Sequence, residues 1–303
     1  MAAENEVQVH ADDARHADLA ARCAIGEVRR NEGKYSRYKP DSLLSRINAS
    51  AGGDPVEIDE ETRGLLAFAD ACWRQSGGVF DITAGVLRRA WRFDVPQVPT
   101  DAELAPLLAC IGWSRVAIDD GGASPVRPRC VPGVRLEPGM EIDFGGFGKE
   151  YAVDRAAMHL KDAGVTSGRV NLAGDLTILG PQPDGSPWRV GIQHPRKRGA
   201  LVAQVPVFSG AIATSGDYER FIEVDGVRHC HVLNPLTGKA ARGFQSVTVH
   251  ADSCLLAGSA STIAMLKGAD DGLTWLASTG MRHLCVLEDG RTVDRMGGEG
   301  AGL

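Results

Sequence analysis

The segment EIDFGGFGKEYAVDRAAMHL, residues 141 to 160, sets Gly145, Gly146 and Gly148 directly ahead of Lys149 and a helical run. Read as a strand that ends at Asp143 and turns through glycine into a helix, it would leave unpaired backbone N–H groups at the positive end of that helix, beside one lysine. Such an end suits a diphosphate. The spacing GGFGKE is neither GxGxxG nor GxxxxGK[ST], so it carries no dinucleotide fingerprint and no P-loop. Glycine alone would also account for a tight packing turn.

Three further segments carry polar groups in suggestive places. YSRYKPDSLLSRIN, residues 35 to 48, makes a turn at Pro40-Asp41-Ser42 before a capped helical run, a reading that explains its polar groups structurally. GGVFDITAGVLRRAWRF, residues 77 to 93, frees the backbone ahead of Phe80 and Asp81; such a loop either holds a ring or a ribose or merely turns. Between AIATSGDYERF and SVTVHADSCLLAGSASTIAML lies HCHVLNPLTG, where His231 is placed as a general base or a ligand, although a lone histidine is more often structural. Ser259, Ser261 and Thr262 sit in a small-residue helix that presents hydroxyls or packs closely.

The elements that must position these groups show in the apolar spacing. Ala17, Ala20, Ala21, Ala24, Ile25 and Val28 repeat at helical intervals, as do Leu65, Leu66, Ala69, Cys72 and Trp73 before Gly77-Gly78. A third helix is expected over 151–161, with Val153, Ala156, Ala157 and Leu160 on one face and Gly164 just beyond it. Strands are expected at 169–172, 176–179, 188–192, 201–207, 211–214, 221–224 and 246–249, with turns at Gly180, Asp184-Gly185, Asp225-Gly226 and Thr237-Gly238. The stretch 95–138 is proline-rich and reads as loop-rich; the tail, 296–303, is expected to fray. The fold class is α+β, a single compact domain over 1–303 with an antiparallel or mixed sheet and packed helices.

Composition narrows the function. The chain of 303 residues is 43% hydrophobic and 24% charged, with a formal charge of -6. It lacks the basic excess of a nucleic-acid binder, so no nucleic-acid partner is expected. No apolar run approaches the roughly 20 residues that cross a bilayer, and no membrane segment or signal pattern is expected. Seven cysteines without a CxxC pair read as reduced structural thiols. The expected location is cytoplasmic, or periplasmic if an export segment was removed.

Taken in order, these segments resemble the FAD:protein FMN transferase, or ApbE, family over about residues 7 to 285. Ser36 through Asn48 is similar to the family's S-x-Y-x-P-x-S-x-L-S-x-x-N, Gly78 through Leu87 to G-x-F-D-x-T-x-G-x-L, and Asp143 through Asp154 to D-x-G-x-x-x-K-G-Y-x-x-D. Ala173-Gly174-Asp175, Thr214 to Arg220, His231 to Gly238 and Ala257 to Thr262 match the later elements. The resemblance implies magnesium-dependent transfer of FMN from FAD to a threonine or serine hydroxyl of a target flavoprotein, with release of AMP. Carried over by position, Tyr38, Val79, Phe80, Asp81, Asp143, Lys149 and Val232 would line the FAD site. The Gly146 carbonyl, Ser261 and Thr262 would face the metal, and His231 would deprotonate the incoming hydroxyl.

The chain departs from the pattern in four places. Glu6-Val7-Gln8 stands where the family's first strand has Met-Gly-Thr, Asn234 replaces an aspartate, Glu150 replaces a glycine, and Gly258 aligns with the metal-binding aspartate. Loss of that carboxylate would leave neutral oxygens for the metal, and Gly258→Asp is expected to strengthen magnesium binding. Two alternatives therefore stand beside transfer: a flavin-binding or protein-interaction module that has lost transfer, and an FAD pyrophosphatase with water as acceptor.

Overall fold

The computed structural model describes residues 5–119 and 132–297 and the backbone of residues 299 and 300. In chain order the strands and α-helices are β1 (Asn5–His10), α1 (Ala14–Tyr35), α2 (Leu43–Ala49), β2 (Val56–Glu57), α3 (Glu60–Ser76), α4 (Asp101–Leu108), β3 (Ala117–Asp119), β4 (Gly133–Arg135), α5 (Gly148–Asp162), β5 (Ser167–Leu172), β6 (Asp175–Gly180), β7 (Trp188–Gln193), β8 (Leu201–Val207), β9 (Gly210–Gly216), β10 (Phe221–Val224), β11 (Val227–Cys230), β12 (Phe244–Ala251), α6 (Cys254–Lys267), α7 (Ala269–Thr279), β13 (Arg282–Leu287), β14 (Thr292–Asp294) and β15 (Glu299–Gly300). The α+β class holds. Residues 1–32, 145–220 and 242–303 cluster as one compact unit, and residues 33–144 and 221–241 as another.

The first unit is built on a seven-stranded antiparallel sheet, ordered β1-β5-β6-β9-β12-β13-β14. Its central strands are buried along nearly their whole length, β6 as Asp175–Gly180 and β12 as Phe244–Val249, because both faces are covered. Helices α5 and α6 pack on the sheet. A smaller sheet, β15-β8-β7, contributes Trp188, Val190, Ile192, Ala203, Val205 and Val207 to a shared core with Leu176, Ile178, Ile212, Leu284 and Val286. Helix α5 buries Val153, Ala156, Ala157 and Leu160, the face its spacing predicts. Helix α1 departs in detail: Ala20 and Ala24 are buried, but Ile25 is exposed and Glu27 is buried instead.

The second unit holds α2, α3, α4 and a 3-10 helix at Ile82–Arg89, with two small antiparallel sheets, β2-β4-β3 and β10-β11. Leu87, Trp91, Leu104 and Ile222 form a core that Phe93, Leu107 and Leu233 flank. Helix α4 and the short strands β3 and β4 lie within the loop-rich stretch 95–138. Thr100 and Glu103 make a capping box that starts α4, and Pro106 is accommodated inside it.

All seven sequence-predicted strands form, β8 and β10 with the expected ends. The expected strand ending at Asp143 does not form. Asn48 takes the place of a partner strand, its Oδ1 accepting from the Ile142 N–H at 2.8 Å and its Nδ2 donating to the Ile142 carbonyl at 2.9 Å. Cys23, Cys72, Cys110, Cys230, Cys254 and Cys285 are free thiols, whereas Cys130 and the prolines at 125 and 128 lie outside the described residues. Of the tail, residues 298 and 301–303 also lie outside them, and Glu299–Gly300 pair with β8. Among the described residues, no helix is long and apolar enough to cross a membrane.

Candidate active site

In the first unit the glycine-rich turn enters α5 at Phe147, which supplies no side-chain cap. The residue before the helix thus contributes no side-chain acceptor to the N–H groups at that positive end. Lys149 follows in the first turn. Its ammonium is paired with Asp175, lies 3.5 Å from Glu150 Oε1, and donates to the Leu172 carbonyl at 3.5 Å. Burial opposes the lysine's charge, but Glu150 and Asp175 outweigh it and hold its pKa above the ordinary value.

Asp175 reaches this place through a two-residue hairpin. Leu172 pairs with Asp175, and Ala173 and Gly174 between them have φ of 56° and 95°, as a type I′ turn requires. The other oxygen of Asp175 accepts from the Thr214 N–H of β9 at 2.9 Å. The next residue, Ser215, lies 2.8 Å from the Ser261 hydroxyl and 3.0 Å from that of Thr262. Two strands and α6 thus bring Ser261 and Thr262, predicted as a pair, onto one hydroxyl cluster.

Glu150 is the residue whose place the sequence reading undervalued. It continues the buried stripe of α5 through Val153, Ala157 and Leu160 and is only 7% exposed. Burial pushes its carboxyl well above the ordinary range, Lys149 opposes this, and Asp175 adds to it. Its side chain lies against Gly258. A Cβ at that glycine would collide with Glu150 Cγ and lie 3.0 Å from Cδ and 3.2 Å from Oε1. Glu150 thus occupies the space into which an aspartate at position 258 would grow.

Asp154, which closes the same motif, has a positioning task. Its carboxylate accepts the N–H groups of Cys254 and Leu255 at 2.8 Å each and the Thr177 hydroxyl at 3.0 Å, so α5 caps α6 and ties it to β6. Burial raises its pKa even though the two N–H groups work the other way.

In the second unit, Arg37 links two predicted residues. It pairs with Asp143, donates to the Tyr38 hydroxyl at 2.9 Å, and stacks its guanidinium 5.0 Å from the Tyr38 ring centroid. Arg37 itself escaped notice in the sequence. Tyr38 is 75% exposed and presents a large aromatic surface beside that guanidinium.

Asp81 caps the 3-10 helix, accepting the Thr83 N–H at 2.8 Å and hydroxyl at 2.6 Å, while its second oxygen accepts the Trp113 N–H at 3.0 Å. Phe80 is buried, Val79 half-buried, and the Asp143 N–H donates to the Ile82 carbonyl at 2.8 Å. Gly85 must be glycine here, since a Cβ would lie 2.9 Å from that of Asp143. The loop from Val79 and Asp143 are therefore neighbours.

His231 is exposed and Val232 half-buried ahead of a turn that Asn234 builds. Asn234 Oδ1 accepts the N–H groups of Leu236 at 2.9 Å and Thr237 at 3.3 Å, and the Trp91 indole fixes the end of the turn by donating to the Gly238 carbonyl at 2.7 Å. An amide oxygen performs this task as an aspartate would, so Asn234 preserves the turn.

The oxygen groups of the first unit suit a hard cation: the Glu150 and Asp175 carboxylates and the Ser215, Ser261 and Thr262 hydroxyls. One of them, Glu150 Oε2, is buried and has no hydrogen-bond partner. Among the described residues, no group of three or more His, Cys, Asp or Glu is placed to hold a metal. Magnesium would take one or two such carboxylates and complete its shell with waters and substrate phosphates.

The chain is similar to known flavin transferases along most of its length. An FAD:protein FMN transferase of Vibrio cholerae is 32% identical over 79% of this chain and 71% of its own. One from Rhodobacter capsulatus is 30% identical over 94% of this chain, which spans only 53% of that longer protein. The crystal structure of the ApbE protein of Thermotoga maritima superposes with a TM-score of 0.85 at 30% identity, covering 96% of this chain and 97% of the other. The profile of the ApbE family matches residues 1–285, and the chain belongs to that family.

Proposed function

We propose that this protein is an FAD:protein FMN transferase that moves FMN from FAD to a threonine or serine hydroxyl of a target flavoprotein and releases AMP. The hydroxyl oxygen forms a bond to the FMN phosphorus, the bond from that phosphorus to the bridging diphosphate oxygen breaks, and the oxygen leaves with AMP. The hydroxyl proton passes to a base, for which His231 is the candidate. Tyr38, Val79, Phe80, Asp81, Asp143, Lys149 and Val232 serve the FAD in this proposal, and the Gly146 carbonyl, Ser261 and Thr262 serve magnesium.

The observation that carries the reading is the uncapped start of α5 with Lys149 in its first turn, beside the Asp175 and Glu150 carboxylates. N–H groups and an ammonium receive a diphosphate, and nearby hard oxygens hold a dication. Magnesium, when bound, neutralises charge on the diphosphate, the main demand of phosphoryl transfer. The chain's own residues then orient the donor and take the proton. The names of the relatives support the same reading.

The test is incubation of the protein with FAD and magnesium chloride, with and without a flavoprotein acceptor from the same genome, following acceptor mass and AMP. An FMN-sized gain on the acceptor together with AMP is the expected result. AMP without a mass gain would replace transfer with hydrolysis, and the absence of both products would overturn the proposal.

A further inference from the structure

We propose that Glu150 is the carboxylate through which this chain holds its divalent cation, and that position 258 is glycine to make room for it. The inference rests on the magnesium-dependent reading above and assigns a ligand within it.

A carboxylate on the buried stripe of a helix is costly unless something compensates it. Lys149 approaches only one of its oxygens, at 3.5 Å, and Oε2 is buried without a hydrogen-bond partner. That leaves an oxygen aimed into the protein with its bonding capacity unused. The surface it faces is built to receive it. Helix α6 offers no side chain at Gly258, where any Cβ would strike Glu150 Cγ, so the two helices approach at this point with Glu150 between them.

Gly258, Ser261 and Thr262 stand at i, i+3 and i+4 and share one face of α6. The Ser261 hydroxyl donates to the Gly258 carbonyl at 2.9 Å and, with Thr262, meets Ser215. The carboxylate comes onto this hydroxyl-bearing face from α5, in the place a side chain at 258 would otherwise take. Asp175, joined to Glu150 through Lys149, supplies the second acidic group.

Titration of magnesium chloride into the FAD-bound protein by calorimetry, with manganese and its paramagnetic resonance as a second probe, tests this without measuring turnover. Glu150→Gln keeps the shape and removes the charge, and is expected to weaken cation binding by about tenfold or more with the melting temperature maintained. Gly258→Asp alone is expected to weaken it as well, by displacing Glu150. The double variant Glu150→Gly/Gly258→Asp is expected to recover binding, because the carboxylate then enters from α6. Wild-type affinity in Glu150→Gln, or no binding in a folded double variant, would overturn the assignment while leaving the magnesium reading intact. A wild-type protein that binds neither cation would overturn the magnesium reading itself, and this assignment with it.

Discussion

The Asp154 carboxylate on α5 receives the Cys254 N–H at the first turn of α6, 2.8 Å away. The same group takes the Leu255 N–H and the Thr177 hydroxyl, so one side chain sets the relation of two helices and a strand. Removing it would leave buried donors without an acceptor. Asp154→Ala is expected to cost about 2–3 kcal/mol in urea unfolding, the sum of a lost helix cap and unsatisfied N–H groups. Asp154→Asn, which keeps one acceptor oxygen, should cost less; equal stability of wild type and Asp154→Ala would refute the capping role.

The hairpin that delivers Asp175 carries strain at Ala173, a non-glycine residue at φ 56°. The turn needs positive φ at both central positions, and a Cβ is unfavourable there. Ala173→Gly should therefore stabilise the protein by about 0.5–1 kcal/mol, with thermal unfolding as the measure. The added backbone freedom of glycine in the unfolded chain works against this gain, so a lower melting temperature would show that entropy outweighs the relief of strain.

Much of this arrangement could be read from residue spacing, and the exceptions have physical causes. The buried face of α5 follows from Val153, Ala156, Ala157 and Leu160, and the same spacing extended backward reaches Glu150. A carboxylate on an apolar stripe was thus the visible signal. What it meets was not visible, because Gly258 lies on another helix and no local pattern pairs them. Helix α4 was hidden by the prolines around it, although Thr100 and Glu103 carry its capping box. Arg37 escaped because an arginine beside a tyrosine reads as solvated surface until Asp143 is brought to it.

Glu27 gives the fold a definite response to acid. Arg30 grips its carboxylate with two bonds of 2.8 Å, burial opposes ionisation, and Arg155 adds a bond of 3.2 Å; together they lower its pKa from 4.5 to about 2. A carboxylate with a depressed folded pKa contributes stability above its unfolded value, and that contribution is lost as pH falls through the folded one. Between about pH 4.5 and 2 the wild type should lose stability more steeply than Glu27→Gln. Urea unfolding across that range checks the difference in slope, and parallel curves would remove Glu27 from the account of acid sensitivity.

Lys149 joins the packing of the first unit to its proposed chemistry. Its ammonium is held by Asp175 and Glu150 at the uncapped start of α5, so it is pre-positioned before any ligand arrives. Replacing it with methionine keeps much of the stem and removes the charge. Two effects should follow. The carboxylates lose their counter-charge and the fold is weakened, and a diphosphate loses a charge-assisted partner worth about 1.5–3 kcal/mol, which corresponds to roughly a 10- to 150-fold loss in FAD affinity. Titration of FAD at a temperature where Lys149→Met remains folded separates the second effect from the first. Affinity equal to wild type would place the diphosphate away from this lysine, whereas a loss that Lys149→Arg partly restores would show that the positive charge at the helix start is what FAD requires.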